Sequence, residues 1–180
     1  KTFKSMFLIA LLMQPAWSAT VNKLQVTKQK KYFETQAEFV VDAPQSEVLR
    51  AFTMFENLQK INPAITGSSA VPLTDQTTRV TTEVKDCMGV FCKSLTLVED
   101  VTIEVDGTVH SVMVAGLGDF EEGTTTWTFV PKGDRTQVLY QSRVRPGFWL
   151  PPLVGKKAMR KALKRQITTA VNNLEAILAE

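Results

Sequence analysis

Residues 152–179 read PLVGKKAMRKALKRQITTAVNNLEAILA, and the folding of this stretch decides how the rest of the chain is arranged. Turned about 100° per residue from Ile167, the side chains of Leu163, Ala170, Val171, Leu174 and Leu178 fall on one face. That spacing predicts one long helix with a buried apolar stripe. Toward the N-terminus the same face carries Arg160 and Lys156, each within about 20° of the Ile167 direction. The stripe therefore ends in two cations. They have three ways to be accommodated: running past the edge of whatever covers the helix, pairing with carboxylates such as Glu121, or meeting an anionic ligand head.

A helix of this length, roughly 40 Å at 1.5 Å per residue, needs an extended apolar surface to pack on. The preceding residues supply one by alternation. Six strands are predicted near Ile65 to Leu73, Thr78 to Lys85, Phe91 to Val105, Val109 to Ala115, Gly123 to Val130 and Gln137 to Val144. Turn residues separate them, among them Asp75-Gln76-Thr77, Asp106-Gly107, Gly116-Leu117-Gly118-Asp119 and Lys132-Gly133-Asp134. Loops this short make an antiparallel meander. A further strand begins at Tyr32, with Phe33, Ala37, Phe39 and Val41 as its apolar positions. Pro44 and Glu47 then suit the first turn of a helix carrying Val48, Ala51, Phe52 and Phe55 inward. A second short helix holds Leu58 and Ile61 and stops at Asn62-Pro63. The expected fold is α+β: a curved seven-stranded antiparallel sheet wrapped on the long C-terminal helix, with two short helices after the first strand. Such a sheet need not fill its middle, and a hollow there is a ligand site by geometry.

The N-terminus carries Lys1 and Lys4, the apolar run Met6 to Met13, and Ala16-Trp17-Ser18. Basic start, short apolar middle and small residues describe a secretory signal peptide over residues 1–18. Residues 19–31 are polar and read as a lead-in, leaving 32–180 as a single domain. Export implies a periplasmic protein if the source is bacterial and a secreted one otherwise. Loss of Lys1 and Lys4 turns 21 basic residues into 19 against 18 acidic, so the overall charge gives no sign of a nucleic-acid partner. Cys87 and Cys92 both join the polar, outer face of adjoining strands at the two ends of one turn. An oxidising compartment and that placement predict a disulfide between them.

The stretch Phe39-Val40-Val41-Asp42-Ala43-Pro44-Gln45-Ser46-Glu47-Val48, continued by Phe55-Glu56-Asn57-Leu58, Ile61-Asn62-Pro63-Ala64-Ile65 and Ser68-Ser69-Ala70-Val71, resembles the START-like, Bet v1-like helix-grip superfamily. The resemblance includes its polyketide cyclase/dehydrase and lipid-transport group. The order of elements extends the likeness over nearly all of residues 32–180. The resemblance implies a helix-grip cavity for a lipid, quinone or similar apolar molecule, without a universal catalytic motif and without a cofactor.

Within that frame, Trp127 and Phe129 alternate against threonines and face inward, as does Tyr140 with Ser142. They read either as plain core or as the walls of a ligand site. The ligand-binding set is completed by Trp149, Lys156, Arg160, Leu163 and Ile167, with the cavity mouth expected beside Lys156, Arg160 and the Trp149 loop. Phe148, Trp149, Lys157, Lys161 and Arg165 combine an apolar loop tip with a basic helix face, the pattern of contact with an anionic bilayer. For chemistry the inward acids are few, Glu99 and Tyr140, and no compelling pair emerges. His110 is the single histidine, with nothing spaced around it for a triad or a metal. No metal site and no catalytic residue is assigned. The leading expectation is an exported binding or carrier protein for a hydrophobic small molecule or lipid. A polyketide cyclase/dehydrase-like enzyme and an envelope or membrane-surface interaction protein are the alternatives.

Overall fold

The computed structural model describes residues 19–88, 91–152 and 155–178. The expected leader, residues 1–18, and the tip of the Cys87–Cys92 turn lie outside the described residues. Strand β1 (Ala19–Gln29) is followed by β2 (Tyr32–Val41), then by α1 (Gln45–Thr53), a single 3-10 turn (Phe55–Asn57) and α2 (Leu58–Ile61). Strands β3 (Ile65–Pro72), β4 (Thr77–Met88), β5 (Phe91–Ile103), β6 (Val109–Met113), β7 (Phe120–Lys132) and β8 (Arg135–Pro146) precede α3 (Gly155–Leu178).

The strands form one eight-stranded antiparallel sheet in the order β1-β2-β8-β7-β6-β5-β4-β3. The chain leaves β2, crosses to the far edge through the short helices, and returns strand by strand until β8 lies beside β2. The long helix then grips the concave face, as the helix-grip fold requires.

The sheet has eight strands, not seven. The polar lead-in is β1, paired with β2 from Ala19↔Val41 to Gln29↔Tyr32. Two features hide it in the sequence. Its turn, Lys30-Lys31, carries no glycine, asparagine or proline, although Lys30 adopts φ 55°. As an edge strand it also needs only Leu24 and Val26 inward, and Val26 is fully buried.

Two apolar clusters lie between sheet and helix. The larger joins Phe39, Val138, Phe129 and Val48 to Ile167, Val171 and Leu174 on the C-terminal half of α3. Phe39 and Leu174 are fully buried, and each such side chain contributes about 1.5–3 kcal/mol by leaving water. The second lies under the first turns of α3 and joins Phe33, Phe120, Val144 and Met159, with Leu95, Leu97, Met113, Phe148, Leu150 and Leu163 against it. Gly123 makes room there, because a Cβ at that position would stand 2.6 Å from Met113 Cγ.

Candidate functional site: a hollow between the sheet and the closing helix

The sheet's side-chain volumes determine where the space lies. Beneath Leu163 the inward residues are large, Phe120 and Met113 among them, and they fill the gap to the helix. One helical turn later, beneath Ile167, β4, β5 and β6 present Val80, Thr82, Val101, Val109 and Ser111. These short side chains do not reach α3. A cavity of about 230 Å³ remains, walled on its far side by Phe52, Trp127 and Phe129. Phe52 projects from α1 into this wall, its ring 4.7 Å from Trp127 and 5.7 Å from Phe129. The rim forms where α2 and β3 meet α3, at Leu58, Ile65 and Ala170.

Hydrogen bonds tie that rim together. Asn62, which stops α2, donates through Nδ2 to Gln166 Oε1 and accepts the Ala64 N–H at 3.0 Å. Gln166 Nε2 donates to Asp86 Oδ2 at 2.6 Å, and Arg165 pairs with the other oxygen of Asp86 while also donating to the Cys87 carbonyl at 3.0 Å. Asn173 Nδ2 donates to the Ile61 carbonyl at 3.0 Å. One face of α3 is thus fastened both to α2 and to β4. Beside it, Cys87 and Cys92 are joined by a disulfide, with their Cα atoms 3.9 Å apart.

Polar groups facing the hollow are few. Glu99 of β5 reaches into it and accepts a hydrogen bond from Ser111 Oγ at 2.6 Å. Burial pushes the Glu99 carboxyl above its ordinary value, and the Ser111 bond offsets this in part. Tyr140 lies one layer deeper, its ring 4.1 Å from Trp127, with Ser142 and Thr125 as hydrogen-bond partners. Burial raises its hydroxyl to about 12.

The residues singled out from sequence separate accordingly. Trp127, Phe129 and Ile167 line the cavity. Tyr140 stands behind Trp127, and Ser142 accepts a hydrogen bond from Thr125 Oγ1 at 3.3 Å away from the hollow. Leu163 belongs to the second cluster because large side chains lie opposite it. Arg160 donates from Nε to the Val26 carbonyl at 2.8 Å, tying α3 to β1, while Glu121 pairs with Arg145. Lys156 is exposed, and Trp149 retains 75% of its surface. Lys156, Arg160 and Trp149, where the mouth was expected, are thus not part of the cavity's lining. That end of α3 sits over packed core, and Gln166, about one and a half turns further on, lines the hollow. Of the bilayer-contact set, Trp149, Lys157 and Lys161 face solvent. Phe148 instead packs edge-on against Phe120 at 5.7 Å beneath Lys93, and the exposed Arg165 is held by Asp86. His110 is exposed on the convex face, 3.1 Å from Thr126 Oγ1.

Phe52, Asn62, Thr82, Ser111 and Gln166 belong to the site although sequence reasoning does not single them out. A signal for Thr82 and Ser111 is present, since both sit in the inward register of their strands and are short. For Asn62 and Gln166, 104 residues apart, no local pattern exists.

Residues 32–179 match the protein family described as polyketide cyclase / dehydrase and lipid transport. Among solved structures, the protein TTHA0849 of Thermus thermophilus is similar with a TM-score of 0.67 at 21% identity, covering 81% of this chain and 96% of that one. The Zhui aromatase/cyclase of Streptomyces sp. R1128 reaches 0.69 at 12% identity, over 82% and 93%. A STAR-related lipid transfer protein of Xanthomonas axonopodis reaches 0.61 at 16%, over 87% and 99%. At these identities the structural likeness is one of fold. No curated protein matches the chain.

Proposed function

This chain belongs to the polyketide cyclase / dehydrase and lipid transport family, and from that premise we propose that it is an exported binding protein that carries a hydrophobic small molecule in the hollow under α3. The observation that carries this reading is the lining. Among the described residues, Glu99 is the only titratable group on the cavity wall, and the rest is largely aliphatic and aromatic. Acid–base chemistry on a flexible substrate calls for two titratable groups with opposed roles at the reacting atoms. Tyr140, the other candidate, is shielded by Trp127 and keeps its proton through the whole physiological range. A lining of this kind suits holding a molecule better than transforming it. The Cys87–Cys92 disulfide supports export, since such bonds persist in oxidising compartments.

The test has two parts. Protein recovered from its native compartment is analysed by native mass spectrometry, with its N-terminal residue determined. The expected result is a bound apolar species and an N-terminus near Ser18 or Ala19. In parallel, Val109→Phe fills the hollow from β6. It should abolish uptake of apolar probes while the circular dichroism spectrum stays unchanged. Consistent emptiness, or uptake that survives in a folded Val109→Phe variant, would overturn the carrier reading.

A further inference from the structure

The hollow is not uniformly apolar. Glu99 on β5 lines it together with Ser111, its diagonal neighbour on β6, while Thr82 of β4 lies on the opposite diagonal. Ser111 spends its proton on Glu99 Oε1. Glu99 itself lines the cavity, and among the described residues Ser111 is the one hydrogen-bond partner seen for it. The rim amides are not available in the same way, because Asn62 and Gln166 are bound to each other, and their remaining groups meet Ala64 and Asp86.

Burial against the valine, phenylalanine and tryptophan side chains of the lining favours the protonated form of the Glu99 carboxyl. In that form Oε1 accepts from Ser111 and one O–H remains to donate. A buried donor without an acceptor carries a free-energy cost that an incoming acceptor removes. Size sets the second constraint. An apolar cavity of roughly 150 Å³ accepts benzene, whereas sites for drug-sized ligands begin at roughly 300 Å³. At about 230 Å³ this hollow matches a molecule of about two fused rings better than a pair of acyl chains.

We infer that the hollow selects compact, one- or two-ring apolar molecules bearing a single oxygen acceptor, such as a ketone, with that oxygen docked on Glu99 beside Ser111. This inference rests on the carrier reading and deepens it, because it names the ligand class and the residue that discriminates. Glu99 acts here as a specificity determinant and not as a catalytic acid.

A matched pair of probes tests it: 2-acetylnaphthalene, which has the acceptor, and 2-isopropylnaphthalene, which has the same shape without it. Equilibrium dialysis of the full chain measures each against the natural protein, Glu99→Gln and Glu99→Met. Glu99→Gln still offers a donor and should keep the ketone's affinity within about twofold. Glu99→Met should weaken the ketone roughly five- to tenfold, the worth of one hydrogen bond. It should leave the hydrocarbon's affinity unchanged or improved. Glu99→Met removes a buried carboxyl, so it should fold, and a thermal melt confirms that. Equal losses for both probes in Glu99→Met, or no loss for either, would overturn the anchor while leaving the carrier reading intact. Failure of both probes to bind the folded natural protein would overturn the carrier reading itself, and the anchor with it.

Discussion

At the scale of single residues, two carboxyl groups, Asp119 and Glu99, respond to pH in opposite directions. Asp119, in the bend before β7, accepts the Thr96 N–H at 2.8 Å and Lys93 Nζ at 3.2 Å. The Thr96 bond chiefly, and then Lys93, hold its carboxyl below the ordinary value. Its stabilising effect is therefore present above pH of about 4, where an unfolded aspartate is also ionised, and is lost as pH falls through the lower folded value. Glu99 has the reverse sign: its raised value favours the protonated folded form, and stability drains as pH climbs through that value. Asp119→Ala leaves the Thr96 amide without its acceptor and should cost about 1–3 kcal/mol at pH 7. In urea titrations the gap between variant and natural protein should narrow steadily below pH of about 4. A gap that stayed constant into acid would show that the charge on Asp119 does not matter.

At the scale of elements, α3 does two different jobs along one length. Its first turns cover a filled core through Met159 and Leu163, while its middle covers the hollow through Ile167 and Ala170. Gln166 sits where the second job begins and is bound on both sides, to Asn62 after α2 and to Asp86 on β4. It holds the short helices, the sheet and the closing helix in register around the rim. Gln166→Ala should cost about 1–2 kcal/mol in stability, since Asn62 and Asp86 each lose a partner. It should speed release of an apolar probe, because the bonds to Asn62 and Asp86 fasten the rim. Stopped-flow displacement measures this, and an unchanged release rate in the folded variant would remove Gln166 from any gating role.

At the scale of the whole molecule, β1 closes the architecture. It supplies the sheet's eighth strand, and α3 packs along it, with Arg160 bonded to its Val26 carbonyl. The family match begins at residue 32, past this strand. A chain cut to begin at Tyr32 would nevertheless lose the strand that satisfies the outer edge of β2 and part of the floor beneath α3. We expect such a chain to aggregate or to unfold without a cooperative transition, and Val26→Asp, which places a charge at a fully buried site, to cost more than about 2 kcal/mol. A monomeric, cooperatively melting truncation would contradict this. Much of the fold is legible in the chain: the helical stripe through Ile167 and Leu174, the six-strand meander, the inward face of Trp127 and Phe129, and the outward pairing of Cys87 with Cys92. Each depends on a period of 3.6 or 2 and on residues a few places apart, which local sterics and the exclusion of apolar groups from water impose without reference to the rest of the chain. An edge strand with a Lys-Lys turn has no such signature, and β1 is hidden for that reason. The position of the cavity also depends on the tertiary structure. Leu163 and Ile167 are equivalent on the helix, and only the sheet residues brought opposite them make one a core residue and the other a cavity wall. Whether space remains between two surfaces depends on the summed volumes of side chains from distant strands, and that sum exists only once the sheet has curved around the helix.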